Sequence, residues 1–134
     1  MRTLHSVALA TALLTAACNP NTPATPTPVA PTIVESFTGT LTVLGTNQHP
    51  FSVRQVGGVK VTLSSVDPAA SVRIGLGTIS GPTCVVVTSI LVDPGAPAPQ
   101  LSGTATVTGN FCVSISDPGT LAEQVTYTID LIHS

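Results

Sequence analysis

A hydrolytic triad needs a histidine that reaches both a nucleophile and a carboxylate. Beyond residue 17 this sequence offers two histidines, His49 within "TNQHP" and His133 beside the last residue. Both are read as solvated loop residues. Glycoside cleavage needs two carboxyl groups across one cleft. Glu35 and Glu123 are the candidates, and each is read as a surface charge. Asp67, Asp93 and Asp117 all precede proline. An aspartate accepts backbone N–H bonds in a turn and proline presets the next φ, so these three are read as turn residues. The competing chemistry is calcium, which takes six to eight oxygens. No D-x-D-x-D cluster supplies them. The expectation is a chain with no catalytic residue, no metal ligands and no cofactor.

Cysteine is the remaining reactive type, and there are three, Cys18, Cys84 and Cys112. Residues 1–17 read "MRTLHSVALATALLTAA", a single Arg followed by an apolar Ala/Leu stretch. That is the charged region and apolar region of an export signal. Ala16 and Ala17 then lead into Cys18. This arrangement resembles the bacterial lipoprotein signal peptide, in which small residues precede a lipidated cysteine. The resemblance implies lipidation at Cys18. An odd cysteine in an exported protein needs an explanation, and a lipid on Cys18 leaves Cys84 and Cys112 as a pair. An oxidising compartment allows that pair to close as a disulfide. The alternatives are two unpaired small core residues or a metal pair, the latter without the nearby His that a zinc site requires.

Residues 18–32 form the next segment, in which "NPNTPATPTPVAPT" carries five of the chain's 12 prolines. Proline removes backbone donors and fixes φ, so neither helix nor sheet can propagate. The expectation is a tether of polyproline II character, reaching roughly 40 Å at ~3.1 Å per residue. Residues 33–134 make the single candidate domain.

Composition narrows what that domain does. Charged residues are 7% and aromatics 3%, with no Trp. No apolar run approaches the ~20 residues of a spanning helix. Thr and Val, both strand formers, carry the bias. Past residue 17 the basic residues are Arg54, Lys60 and Arg73, too few and too scattered for the clustered cationic surface that nucleic acid demands.

From Ile33 onward the apolar period is two. Phe37, Leu41 and Val43 share a face, as do Phe51 and Val53. So do Val59, Val61 and Leu63, and likewise Val72, Ile74 and Leu76. Phe111, Val113 and Ile115 form another set, and Val125, Tyr127, Ile129 and Leu131 the last. "CVVVTSILV" is more continuously apolar and is read as buried on both faces. Gly and Pro turns at "GG", "DPAA", "GPT" and two "DPG" segments separate the strands. Short, regularly spaced strands of this kind predict an all-β antiparallel sandwich of about eight strands. By the same alternation, Cys112 faces away from the main core, and a cross-strand disulfide lies on the outer face.

Four blocks, "ESFTGTL", "FSVRQVGGVKVTLSS", "VRIGLGTISGPTC" and "LSGTATVTGNFCVSISDPGTLAEQVTYTIDL", resemble the bacterial pre-peptidase C-terminal (PPC) domain and its stand-alone relatives. The resemblance spans roughly residues 33–134. It implies a jelly-roll-like sandwich of the type appended to exported enzymes, with cysteines in the blocks that hold Cys84 and Cys112. No catalytic domain accompanies it in this sequence. The resulting expectation is a non-catalytic lipoprotein of the bacterial cell envelope, outer membrane favoured because Asn19 rather than Asp follows Cys18. Its function is that of a structural or protein-interaction module, partnered by the membrane through its anchor and by another exported protein. The alternative is a module for an envelope glycan or a calcium-dependent ligand. Sugar platforms rely on exposed rings, whereas Phe37, Phe51, Phe111 and Tyr127 all fall on inward positions.

Overall fold

A computed structural model describes residues 23–134; Cys18 and the signal segment lie outside the described residues. Eight strands follow one another: β1 (Ile33–Leu41), β2 (Thr46–Val53), β3 (Gly57–Asp67), β4 (Val72–Ser80), β5 (Thr83–Val92), β6 (Leu101–Ala105), β7 (Gly109–Ser116) and β8 (Val125–His133). They form two four-stranded sheets, β1-β8-β3-β6 and β2-β7-β4-β5. Every pairing is antiparallel. The fold is therefore an antiparallel β-sandwich, as the alternation predicts, with the strand order of a jelly roll, as the resemblance implies.

Alternation does the folding work. Val125, Tyr127, Ile129 and Leu131 of β8 are all buried, while Thr126 and Ile132 face outward. Phe51 and Val53, Val59 and Val61, Val72 and Ile74, Val113 and Ile115 complete the core with Leu41, whereas Val43, expected on the same face, is exposed because β1 ends at Leu41 and the chain turns there. This is an aliphatic core closed by few rings, and it lies between the sheets where their inner faces meet.

Chain connectivity decides which strands are edges. All but one of the connections between successive strands cross from one sheet to the other; β4 and β5 alone form a hairpin within one sheet. That hairpin leaves β5 with one neighbour. Its burial follows: Val85, Val86, Val87, Ile90 and Leu91 are exposed, with Val87 at 76%. The sequence-based reading of "CVVVTSILV" as buried on both faces is thus corrected. A continuous apolar strand reads as a central one, but its place in the sheet order is at the rim.

The two flanks of the sandwich are closed by different chemistry. On one flank the edges β1 and β2 are in contact, and on the other β6 contacts β4 beside the β5 rim. The β1/β2 flank is sealed by polar and aromatic side chains, as described below. The β5/β6 flank is sealed less well. Gly103 and Ala105 are the small inward residues of β6, and Leu76 of β4 reaches toward Gly103. An apolar slot of about 260 Å³ remains there, lined among others by Val59, Leu76, Val87, Ala105 and Phe111.

Candidate functional site

Two places in the fold gather the residues singled out by the sequence. The first is the β1/β2 flank. Glu35 is at an inward position of β1, and His133 ends β8 two strand positions beyond Leu131. His133 Nε2 and Glu35 Oε1 are 2.8 Å apart, with the His133 side chain 1% exposed. His133 also tilts against the Phe51 ring, with centroids 5.2 Å apart. The expectation of a solvated terminal histidine and a free surface glutamate is corrected: each is the other's partner.

His49 is also displaced from its expected setting. "TNQHP" is not a turn but the start of β2, and His49 is an inward, half-buried residue of that strand. Its ring stacks on Phe37 at 4.8 Å with a 12° interplanar angle. Its Nε2 is 2.8 Å from the Tyr127 hydroxyl. Asn47 Nδ2 donates to the same hydroxyl at 3.0 Å and to the Thr40 carbonyl at 2.8 Å. Burial holds the His49 pKa below its ordinary 6.5. A neutral ring accepts the Tyr127 proton at Nε2, which gives the buried hydroxyl a use for its hydrogen. Burial in turn raises the Tyr127 pKa, against a smaller lowering by the Asn47 bond.

This cluster contains imidazole, phenol and carboxylate, but not in a triad. His49 and His133 each have their own partner, and no hydroxyl nucleophile is shared between them. Glu35 pairs in register with Leu131 near one end of β8, whereas Glu123 precedes Val125 at the other end. The two carboxylates named from the sequence do not face one cleft. What the cluster can do is cross-link the edges β1 and β2.

The aspartates behave as turn residues. Asp117 Oδ1 accepts from the backbone N–H groups of Gly119 (2.8 Å), Thr120 (2.9 Å) and Leu121 (3.1 Å). Its Oδ2 accepts from Leu44 N at 2.8 Å, tying the β1–β2 turn to the β7–β8 connection. These bonds, with Leu44 the largest influence, hold the Asp117 pKa below the usual carboxylate value. Asp93 accepts from Ser71 Oγ at 2.5 Å, and its carbonyl closes a turn with Ala96 N. Asp67 is exposed at the end of β3. Among the described residues no cluster of three or more His, Cys, Asp or Glu side chains is placed to hold a metal ion.

Sequence reasoning passed over Asp130. It lies on the outer face of β8 and accepts from Ser36 of β1 at 2.7 Å and from Ser64 at the bulge of β3. These hydroxyls lower its pKa, Ser64 most. The pattern is a hydroxyl–carboxylate–hydroxyl strip across three strands. It was visible only once the register was known.

The second place is the rim at β5. Cys84 and Cys112 form a disulfide with Cα atoms 5.8 Å apart. Cys84 is on β5 and Cys112 on β7, with β4 between them in the sheet. The bond is thus not between neighbouring strands. The tip of the β4–β5 hairpin curls over the outer face of its own sheet. Cys84 N there donates to Gln48 Oε1 of β2, 2.9 Å away. Gly75 and Gly77 of β4 make room for the curl. A Cβ on Gly77 would collide with the Val85 backbone, and one on Gly75 would lie 2.8 Å from Val86 Cγ1. Cys112 does point away from the main core, but the curled hairpin buries it completely.

Beyond the curl, β5 is a free edge. That free part, Val87–Val92, contains no charge and no proline, although the ladder with β4 shifts register at Val87. The other three edges each carry a feature that discourages pairing. β1 holds Glu35, β2 holds Pro50, and β6 is only five residues long. Neither the scan against known protein families nor the search of curated proteins returned a match for this chain. The resemblance to the PPC domain therefore rests on the residues quoted for it.

Proposed function

We propose that the chain is a non-catalytic envelope lipoprotein whose sandwich serves as a protein-interaction module, presenting the β5 edge. The observation that supports this reading is the outer half of that edge, Val87–Val92, which carries no charge and no proline and exposes Val87, Ile90 and Leu91. An exposed strand offers a row of backbone donors and acceptors that a further strand can complete. Natural domains normally blunt such rows with charge, proline or brevity, and three of the four edges here are blunted in those ways. The slot at the β5/β6 flank adds a place for an apolar side chain of the added strand. The anchor half of the proposal draws on "MRTLHSVALATALLTAAC" and on the proline-rich segment that follows it.

The reading of a glycan- or calcium-binding module has less support. All four aromatic rings sit at inward positions, Phe51 at 4% and Tyr127 at 2% exposure. The Asp117 carboxylate is already occupied by backbone N–H groups.

Two experiments test the proposal in its two halves. Cys18→Ser is expected to shift the chain from the membrane fraction to the soluble fraction of cells; a mutant that remains in the membrane fraction refutes the anchor. A photo-crosslinking residue at Val87 is expected to give a discrete crosslinked protein product in cells, and the same residue at Thr38 on β1 to give none. Equal or absent products at both positions refute the edge.

A further inference from the structure

The proline-rich segment ahead of β1 offers a chemistry that the sandwich does not use. We infer that Thr25 and Thr27 are O-glycosylation sites, and that Thr32 and the threonines of the sandwich are not. The inference stands apart from the β5 edge and from the anchor, and its failure leaves both untouched.

Backbone shape is the first argument. Segments rich in Thr and Pro form the stalks that carry O-linked sugars. In "PATPTPVAPT", Pro26 follows Thr25 and Pro28 follows Thr27. A clash with the proline ring holds the preceding residue in an extended conformation. Both threonines are therefore set in the shape that a peptide-binding groove takes up, and little chain entropy is lost when it does. Residues 23–32 form no strand, and all of them except Ala30 are exposed. The segment is not packed on the sandwich, even at its apolar Val29, which is 92% exposed. Thr22, which also precedes a proline, lies outside the described residues.

Reach is the second argument. A transferase seats the hydroxyl inside its own cleft, so the site has to stand clear of the folded domain. Thr27 and Thr25 lie six and eight positions before Ile33, where β1 begins. At ~3.1 Å per residue they stand roughly 19 Å and 25 Å from the sandwich. A domain of about a hundred residues has a radius of gyration near 13 Å, so a second body of that size has room at both positions. Thr32 adjoins Ile33 and has no such room.

The sandwich itself supplies the third argument. Thr38 faces Thr128 and Thr40 faces Thr126 in the β1–β8 ladder, and drawing one of them into a cleft breaks that pairing. Thr120 Oγ1 already donates to the Ser71 carbonyl at 3.1 Å. Thr106 and Thr108 are exposed, but they lie in the short link between β6 and β7 and are held at both ends by paired strands. Only the segment before β1 combines an exposed hydroxyl with a backbone that an enzyme can grip.

The chemistry takes a sugar activated at its anomeric carbon as a phosphate ester. Thr Oγ1 attacks that carbon, and the Oγ1–C1 bond forms as the C1–O bond to phosphate breaks. The hydroxyl proton passes to a base of the transferase, and the phosphate leaves with the bonding electrons. The attached sugars then crowd a segment of the exposed, irregular kind that proteases cut first.

The test uses the full chain purified from the cells that make it, beside a Thr25→Ala/Thr27→Ala variant from the same cells. Mapping by electron-transfer mass spectrometry is expected to place sugar mass on Thr25 and Thr27, and none on Thr32, Thr38 or Thr106. Single-sugar steps identify a nucleotide-linked donor and one fixed multi-sugar step a lipid-linked donor; either supports the sites. The variant is expected to lose the mass mapped to those two positions. Its circular dichroism spectrum is expected to be unchanged, since neither side chain packs on the core. Unmodified Thr25 and Thr27 overturn the inference, as does a phosphate mass in place of a sugar. Sugar on Thr32 or on the strand threonines overturns the reach argument and with it the choice of sites.

Discussion

Cys84 is bonded to Cys112 across an intervening strand, with Gly77 of β4 lying beneath the crossing. The bridge therefore fixes the curl of the β4–β5 hairpin rather than the spacing of two neighbours. It closes a loop with a sequence separation of 28. In the chain-entropy account, such a loop contributes about 3–4 kcal/mol by restricting the unfolded chain. Replacing both cysteines with Ser is expected to lower stability by about that amount, read from urea unfolding. The same loss is expected when the unaltered protein is unfolded in reductant. An unchanged midpoint in either experiment contradicts a closed bridge.

Gly77 has a role that its neighbour Gly75 shares only in part. A Cβ at Gly77 meets the Val85 backbone, whose carbonyl carbon lies 2.6 Å away. A Cβ at Gly75 meets side-chain atoms, Ser114 Oγ at 2.6 Å and Val86 Cγ1 at 2.8 Å. Backbone held by a disulfide cannot retreat, while side chains can change rotamer. Gly77→Ala is therefore expected to cost more than Gly75→Ala, at or above the ~1–3 kcal/mol typical of overpacking. Melting temperatures of the two variants decide it, and an equal or reversed order removes the argument for the crossing. A free-thiol assay adds a second reading, since Gly77→Ala is expected to slow closure of the bridge.

The sheet faces were legible in the sequence and the sheet order was not. Alternation is local, so Val125, Tyr127, Ile129 and Leu131 announced their face without knowledge of any partner strand. The same series of odd positions continues to His133, and those of β1 and β2 pass through Glu35, Asn47 and His49. Followed through its polar members, the period would have placed all four inside the β1/β2 flank. Read from apolar residues alone, Asn47, His49 and His133 fall in loops and Glu35 on the surface. The position of β5 is another matter. An uninterrupted apolar strand has the same composition at a rim as at a centre, and only the hairpin topology places this one at the rim. The curl that buries Cys112 likewise depends on contacts between strands remote in sequence.

The Glu35–His133 pair invites a direct test. His133 is enclosed by the core and Phe51, and Glu35 Oε1 is the acceptor facing its Nε2. Glu35→Ala leaves that buried N–H without a partner, a loss that costs about 1–3 kcal/mol. Glu35→Gln keeps an acceptor oxygen at the same reach and is expected to cost less. Unfolding free energies at pH 7 distinguish the two, and equal values for both variants would mean that the pair contributes little beyond packing.

His49 and Tyr127 together set a stability plateau on the pH axis. The folded state holds the His49 pKa below 6.5, through burial. Between the folded value and 6.5 the unfolded chain binds the extra proton, so stability rises with pH in that window. Its contribution is complete above 6.5 and is lost as pH falls below that value. Tyr127 has the opposite sense. Its folded pKa is raised above 10.0, again by burial first. The unfolded phenol releases its proton before the folded one, so this contribution is complete below 10.0 and is lost as pH climbs past it. Unfolding measured across pH should therefore show a decline below about 6.5 and another above about 10. His49→Gln is expected to flatten most of the acid-side decline between pH 5 and 6.5 while leaving the alkaline side, and Tyr127→Phe to do the reverse. Because the Tyr127 oxygen also accepts from Asn47 Nδ2, Tyr127→Phe removes the acceptor of one Asn47 bond. A variant His49→Gln that keeps the full acid-side decline would place that titration on another group and detach His49 from the stability of the flank.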